Sequence, residues 1–278
     1  MNQFFPETMI SAKSTKKRFL GLTFKQWLWI LVIIPGVPFA AGSLFIIGYA
    51  NIPWPTGAAI QLDPIDRDIE KLIVLVHGKD DRPSSWADGF AAELKLSVLD
   101  PGQQVVTVDW GDYSKDLFRC TLNARRIGHD LGKKLSARKN IRQLHLIGHS
   151  AGSFVVFGIC EAMKEQNPEV VVHATYLDPV SIYGGIDWGF GTRNFGSCAD
   201  ISDAYIDHED GVPGSDEPLK HPHTFDVTSL KKAAGFTGSP HLWPIEYYRR
   251  AVTGKTLLYW APDQTILLRY PPGKYTVM

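Results

Sequence analysis

Four short, almost purely apolar runs set the tightest limit on how this chain folds. They are Leu72-Ile73-Val74-Leu75-Val76, Val105-Val106-Thr107-Val108, Leu144-His145-Leu146-Ile147 and Val170-Val171-Val172-His173-Ala174-Thr175-Tyr176-Leu177. Each is short for a helix and lacks the alternation of a strand with one wet face, so each reads as a strand buried on both faces of a parallel sheet. They stop at His77-Gly78, Asp109-Trp110, Gly148 and Asp178-Pro179, and a weaker fifth run over residues 204–207 ends in acidic residues. Between them, residues 86–99 and 123–138 carry apolar side chains at helical spacing, with Ile127, Leu131 and Leu135 on one face. Strand and helix alternate, which predicts a doubly wound, mostly parallel α/β sheet with functional groups at the carboxyl ends of its strands. Residues 184–198 and 211–223, rich in Gly, Pro and polar side chains, read as long surface loops.

Residues 27–49 contain no charged side chain. As a helix they extend roughly 34 Å, enough to cross a bilayer. Lys13, Lys16, Lys17, Arg18 and Lys25 precede this stretch, and Asp63, Asp66, Asp68 and Glu70 follow it. That asymmetry predicts a cytoplasmic N-terminus and an outward-facing domain, with Trp27, Trp29, Tyr49 and Trp54 at headgroup level. Pro35, Gly36 and Pro38 predict a kink, which spanning helices tolerate. A cleaved signal peptide ending near Gly48-Tyr49-Ala50 is the rival reading, and it also exports the domain. The chain divides into a basic cytoplasmic segment (1–26), an anchor (27–49), a linker (50–70) and one large α/β domain (71–278).

Lys plus Arg and Asp plus Glu both total 29. There is therefore no global basic field to gather nucleic acid. Cys120, Cys160 and Cys198 lack the paired spacing of a zinc site. They allow one disulfide at most, and whether Cys120 and Cys198 pair stays open. No metal or cofactor is called for.

The chemistry centres on Gly148-His149-Ser150-Ala151-Gly152. A Gly-x-Ser-x-Gly spacing alone is weak, but this one joins a buried strand to an apolar helix starting near Ser153, the strand-turn-helix setting of a nucleophilic serine. Glycines at 148 and 152 let the backbone turn sharply enough to present the hydroxyl. A serine needs a base and an orienting carboxylate, in the chain order Ser, Asp, His. Asp178, at an apolar strand end, is the favoured acid, with Asp207 and Asp210 as competitors. His241, in a loop before Ile245-Glu246-Tyr247-Tyr248, is the favoured base. His221 and His223 read as surface residues, His145 and His173 as core residues, and His77 and His149 as structural neighbours of the serine. Backbone N–H groups of Ala151 and Lys79 are the expected oxyanion donors.

These residues resemble the pancreatic lipase family, whose members include triglyceride lipases and phospholipases. The likeness rests on Val76-His77-Gly78 with Trp86, Val108-Asp109-Trp110 with Asn123 and Gly128, the Ser150 motif, Leu177-Asp178-Pro179, and His241-Leu242 with Tyr247-Tyr248. It implies an α/β-hydrolase fold with Ser150, Asp178 and His241 as triad. The family's larger lipases carry a disulfide-closed lid and a C-terminal β-sandwich; here only Cys198 lies between the acid and the histidine, and the expectation is that both are missing. The activity expected is hydrolysis of a carboxylic ester, with a lipid or a small ester as substrate. Acyl transfer on the same triad and a catalytically inactive lipid-binding protein are the alternatives. Oligomeric state is not legible.

Overall fold

The computed structural model describes residues 18–52, 60–97, 101–214, 216–254 and 270–278. Two compact units divide the chain, residues 1–49 and 50–278. A continuous helical segment runs over Phe24–Asn51, and its most apolar stretch of 18 residues has mean hydropathy 2.4, long and apolar enough to cross a membrane. It begins at Phe24 because Thr23 closes its end, the Gln26 side chain accepting from the Thr23 N–H at 2.8 Å. A π-turn over Trp29–Ile33 lies where the ring of Pro35 would otherwise strike the carbonyl four residues back. That local widening keeps the helix going past Pro35 and Pro38. The basic residues 1–17 and Trp54 lie outside the described residues.

The second unit is built on one eight-stranded sheet. Its strands are β1 (Gln61–Leu62), β2 (Lys71–Val76), β3 (Gln103–Asp109), β4 (Gln143–His149), β5 (Val171–Leu177), β6 (Ile201–Ile206), β7 (His223–Asp226) and β8 (Tyr275–Val277). The order across the sheet is β8-β7-β6-β5-β4-β2-β3-β1, with every neighbouring pair parallel except β1 and β3. The five runs seen in the sequence form β2 to β6. Gln61–Leu62 lies inside the expected linker but adds an edge strand, and the Asp63 carboxylate fixes it by accepting from the Thr107 N–H at 2.9 Å. β7 and β8 are too short and too mixed in polarity to announce themselves.

The longer helices are α1 (Ala87–Ser97), α2 (Cys120–Ser136), α3 (Gly152–Gln166) and α4 (Trp243–Thr253). The continuous apolar runs are explained by burial on both faces. Val74 and Val76 of β2 join Leu144, Leu146, Ile127 and Phe154 in one core cluster, while Ile73 and Leu75 join Phe90, Leu94, Trp243 and Tyr248 in another. Helices α2 and α3 meet backbone to backbone. A Cβ on Gly128 would lie 2.1 Å from the Val155 carbonyl oxygen, and one on Gly158 would lie 2.3 Å from that of Arg125. This close contact fixes α3, whose first residues carry the serine turn.

The cysteines resolve as a Cys160–Cys198 bridge, with Cys120 free and buried. Cys120 therefore does not pair with Cys198. The bridge ties the segment between Asp178 and β6 back to α3, upstream of Asp178, rather than closing a loop within the stretch from Asp178 to His241. A contiguous run could not show this, because the partner lies 38 residues upstream.

Candidate active site

β2 is flanked by β3 on one side and β4 on the other, so the chain changes direction across the sheet at the β2–β4 pair. Open α/β sheets place their binding crevice at such a point. Here it brings the loop after β2 against the turn after β4. A Cβ on Gly78 would lie 3.1 Å from both the Ser150 Cβ and His149 Nδ1.

Ser150 has φ +53°, a left-handed conformation that a non-glycine residue adopts only when its surroundings impose it. The imposition is visible. Its N–H donates to the Leu177 carbonyl at 3.0 Å, and its own carbonyl accepts from the Ser153 N–H at 3.1 Å. The flanking glycines have no room for a side chain. A Cβ on Gly152 would lie 2.5 Å from the His77 carbonyl oxygen, and one on Gly148 would lie 2.7 Å from Val156 Cγ2.

His241 stands in the turn before α4, and its Nδ1 meets two carboxylates, Asp178 Oδ2 at 2.8 Å and Asp210 Oδ2 at 2.9 Å. Asp178 is fully buried and itself left-handed, with φ +46°. Its N–H donates to the Tyr205 carbonyl at 2.8 Å, and its Oδ1 accepts from the Asp207 N–H at 3.0 Å. Of the three acids the sequence offered, Asp178 and Asp210 reach the imidazole together. Asp207 does not. Its carboxylate pairs with Lys231 at 2.6 Å, and its backbone braces Asp178. Asp178, Asp210 and His241 also offer donor atoms within 4.8 Å of one another. Both carboxylates converge on one ring nitrogen, the arrangement of a shared N–H rather than of spread metal ligands.

With Nδ1 occupied by acceptors, His241 keeps Nε2 for another partner. Burial, the largest influence, lowers its pKa; the Asp178 bond and charge, followed by those of Asp210, outweigh it, and the net shift is upward. Burial also raises the Asp178 carboxyl. His149 is pushed down to about 3 by burial, then by the neighbouring His241, so it stays neutral. Its Nε2–H donates to the His241 carbonyl at 3.0 Å, holding the turn that carries His241. His77 has both nitrogens engaged, Nδ1 donating to the Gly78 carbonyl at 2.9 Å and Nε2 accepting from the Trp110 N–H at 3.2 Å. His145 and His173 are core residues stacked at 4.0 Å, and His173 bonds Asp203 at 3.0 Å. His221 bonds the Arg193 carbonyl, whereas His223, expected at the surface, is buried at the start of β7 and bonds Thr276, because pairing with β6 and β8 draws it into the sheet.

Ser150, His241 and Lys79 line two cavities at once. One, about 660 Å³, is edged by Asp80, Asp81, Glu93, Glu246 and Arg249; Arg249 pairs with both glutamates. The other, about 530 Å³, is lined by Leu117, Phe118, Val180, Ile182, Trp188 and Val212. Among the described residues the backbone N–H groups of Lys79 and Ala151 donate to no carbonyl or side chain, although Ala151 is 1% exposed. A buried donor without a partner is costly unless something arrives to accept from it. The sequence reading missed that Asp210 shares His241 Nδ1 with Asp178, the His149–His241 bond and the apolar cavity. Only Asp210, four residues past the end of β6, left a local signal.

The described structure is similar to a putative α/β-superfamily hydrolase from Xanthomonas campestris, at 15% identity and TM-score 0.43, covering 67% of this chain and 99% of that one. An esterase from Pyrobaculum calidifontis matches at 16% identity and TM-score 0.41, covering 78% and 87%. A bacterial membrane phospholipase A matches at 19% identity and TM-score 0.30, covering 57% and 50%. None of the curated proteins matches the sequence. The model of the alpha/beta hydrolase family matches residues 73–275, which take in Ser150, Asp178, Asp210 and His241, and the chain belongs to that family.

Proposed function

We propose that this protein is a serine carboxylic ester hydrolase of lipase or phospholipase type, held at a membrane by its N-terminal helix. The observation that carries the reading is Ser150, left-handed on a strand-to-helix turn, sharing two cavities with an imidazole whose Nδ1 is held by carboxylates. His241 Nε2 takes the Ser150 proton as Oγ attacks the ester carbonyl, and Asp178 with Asp210 stabilises the imidazolium that forms. The N–H groups of Lys79 and Ala151 receive the oxyanion. The same imidazole returns its proton to the leaving alcohol, and water, deprotonated by His241, releases the acyl group. No cofactor enters any step.

The chemistry of the two cavities supports an acyl group in the apolar one and a polar alcohol in the charged one. The Cys160–Cys198 bridge supports a catalytic unit outside the cytoplasm, since disulfides persist in oxidising compartments. The basic flank of the helix supports the same orientation. Replacing Ser150 with Ala is expected to abolish hydrolysis of p-nitrophenyl butyrate and labelling by a fluorophosphonate probe. Retained turnover would remove Ser150 from the mechanism.

A further inference from the structure

The mouth of the apolar cavity carries large side chains that a water-facing surface has no use for. Leu117 is 68% exposed, Ile186 and Trp188 are each 65% exposed, and Phe118 is 44% exposed. Leu117, Phe118 and Trp188 line the cavity, and Ile186 lies beside them in the same loop as Trp188. The two segments touch, since a Cβ on Gly185 would lie 3.9 Å from Phe118 Cδ1. This rim is built rather than loose. The Gly184 N–H donates to Thr121 Oγ1 at 3.0 Å, Asp187 pairs with Arg193 at 2.7 Å, and the Cys198–Cys160 bridge closes the far end of the loop. Contiguous apolar surface around a pocket marks a contact site.

What it contacts follows from the adjacent chain. Directly after Phe118, the Arg119 guanidinium donates to the Ile52 carbonyl at 2.7 Å, and Arg126 donates to the Asn51 carbonyl at 3.1 Å. Asn51 is the last residue of the apolar helix. The point where the chain enters the catalytic unit is therefore pinned beside the rim. A helix that crosses a bilayer ends at headgroup level, which places Asn51, Ile52 and the rim together at that level.

We propose that Leu117, Phe118, Ile186 and Trp188 form a lipid-docking surface, through which the acyl chain of an ester held in the bilayer enters the apolar cavity and reaches Ser150. The proposal rests on the membrane-anchored ester hydrolase reading. It makes the substrate an amphiphile drawn from the membrane that anchors the enzyme.

The test uses the full chain in phosphatidylcholine nanodiscs. An environment-sensitive dye is attached through Ile186→Cys; Cys120 is buried and the other cysteines are bonded, so the dye reports one site. Brominated phosphatidylcholine is expected to quench this dye and to leave one attached through Leu96→Cys, 89% exposed on α1, unquenched. In activity, Ile186→Asp lies outside the cavity lining. It is expected to lower turnover of a long-chain ester in the nanodisc about tenfold, the loss for withdrawing one large apolar side chain from lipid, while turnover of soluble p-nitrophenyl acetate holds. An unquenched dye at 186 overturns the proposal. So does shielding that grows with protein concentration and ignores the brominated lipid, which would make the face a contact between two copies. Failure of the ester hydrolase reading is separate, seen as no fluorophosphonate labelling of Ser150 whatever the dye reports.

Discussion

The paired carboxylates on His241 make a prediction that a triad with one acid does not. Asp178 and Asp210 accept from the same Nδ1–H at 2.8 and 2.9 Å, so either can hold the ring when the other is neutralised. A charge-assisted bond contributes about 1.5–3 kcal/mol. Asp210→Asn is expected to cost about tenfold in kcat/KM, at the low end of that range, because Asp178 still fixes tautomer and orientation. Asp178→Asn costs more, about a hundredfold. If its Oδ1 keeps the Asp207 N–H, the amide turns its own N–H toward the Nδ1 proton. Removing both leaves the imidazole without an anionic acceptor, and the loss reaches roughly 10⁴-fold, as for a triad without its acid. The double variant thus exceeds the product of the singles by about tenfold, a coupling of about 1.4 kcal/mol. The assay is kcat/KM for p-nitrophenyl butyrate from pH 5 to 9, with active sites counted by fluorophosphonate. The acid limb carries a second check. The carboxylates raise the His241 pKa, so losing either one moves that limb to lower pH. A full 10⁴-fold loss in Asp178→Asn with none in Asp210→Asn would refute the shared role, as would an acid limb that stays fixed in both.

Gly128→Ala forces a methyl group to within 2.1 Å of the Val155 carbonyl oxygen; overpacking of this kind costs about 1–3 kcal/mol or more, and an unchanged melting temperature would contradict the backbone contact of α2 and α3. Cys160→Ser opens a bridge across 38 residues and is expected to lower stability by about 2–4 kcal/mol, read from denaturant midpoints under oxidising conditions; equal midpoints with and without reductant would argue against the bridge. His149→Ala removes the donor to the His241 carbonyl and is expected to lower kcat about tenfold, in keeping with about 1 kcal/mol or more per buried hydrogen bond, with KM little changed; a rise in KM alone would place His149 in substrate binding instead.

The sequence by itself determined the five central strands of the sheet and the place of the Ser150 turn between β4 and α3. Runs such as Leu72-Ile73-Val74-Leu75-Val76 admit few conformations, because double-sided burial needs every residue apolar, and glycines at 148 and 152 are demanded by a turn whose neighbours leave no space for a Cβ. Those signals are local, carried by adjacent residues. The apolar helix was legible for the same reason, although its start moved to Phe24 with the Thr23 cap. Tertiary structure alone decided the rest. Which acid meets His241 depends on how the ends of β5 and β6 lie beside one another, and the answer is that both Asp178 and Asp210 do. The partner of Cys198 lies on α3, the edge strand of residues 61–62 is made by pairing with β3, and the apolar cavity is assembled from segments around residues 117, 151, 182 and 212. Each of these depends on distances between residues far apart in the chain, which composition and periodicity do not encode.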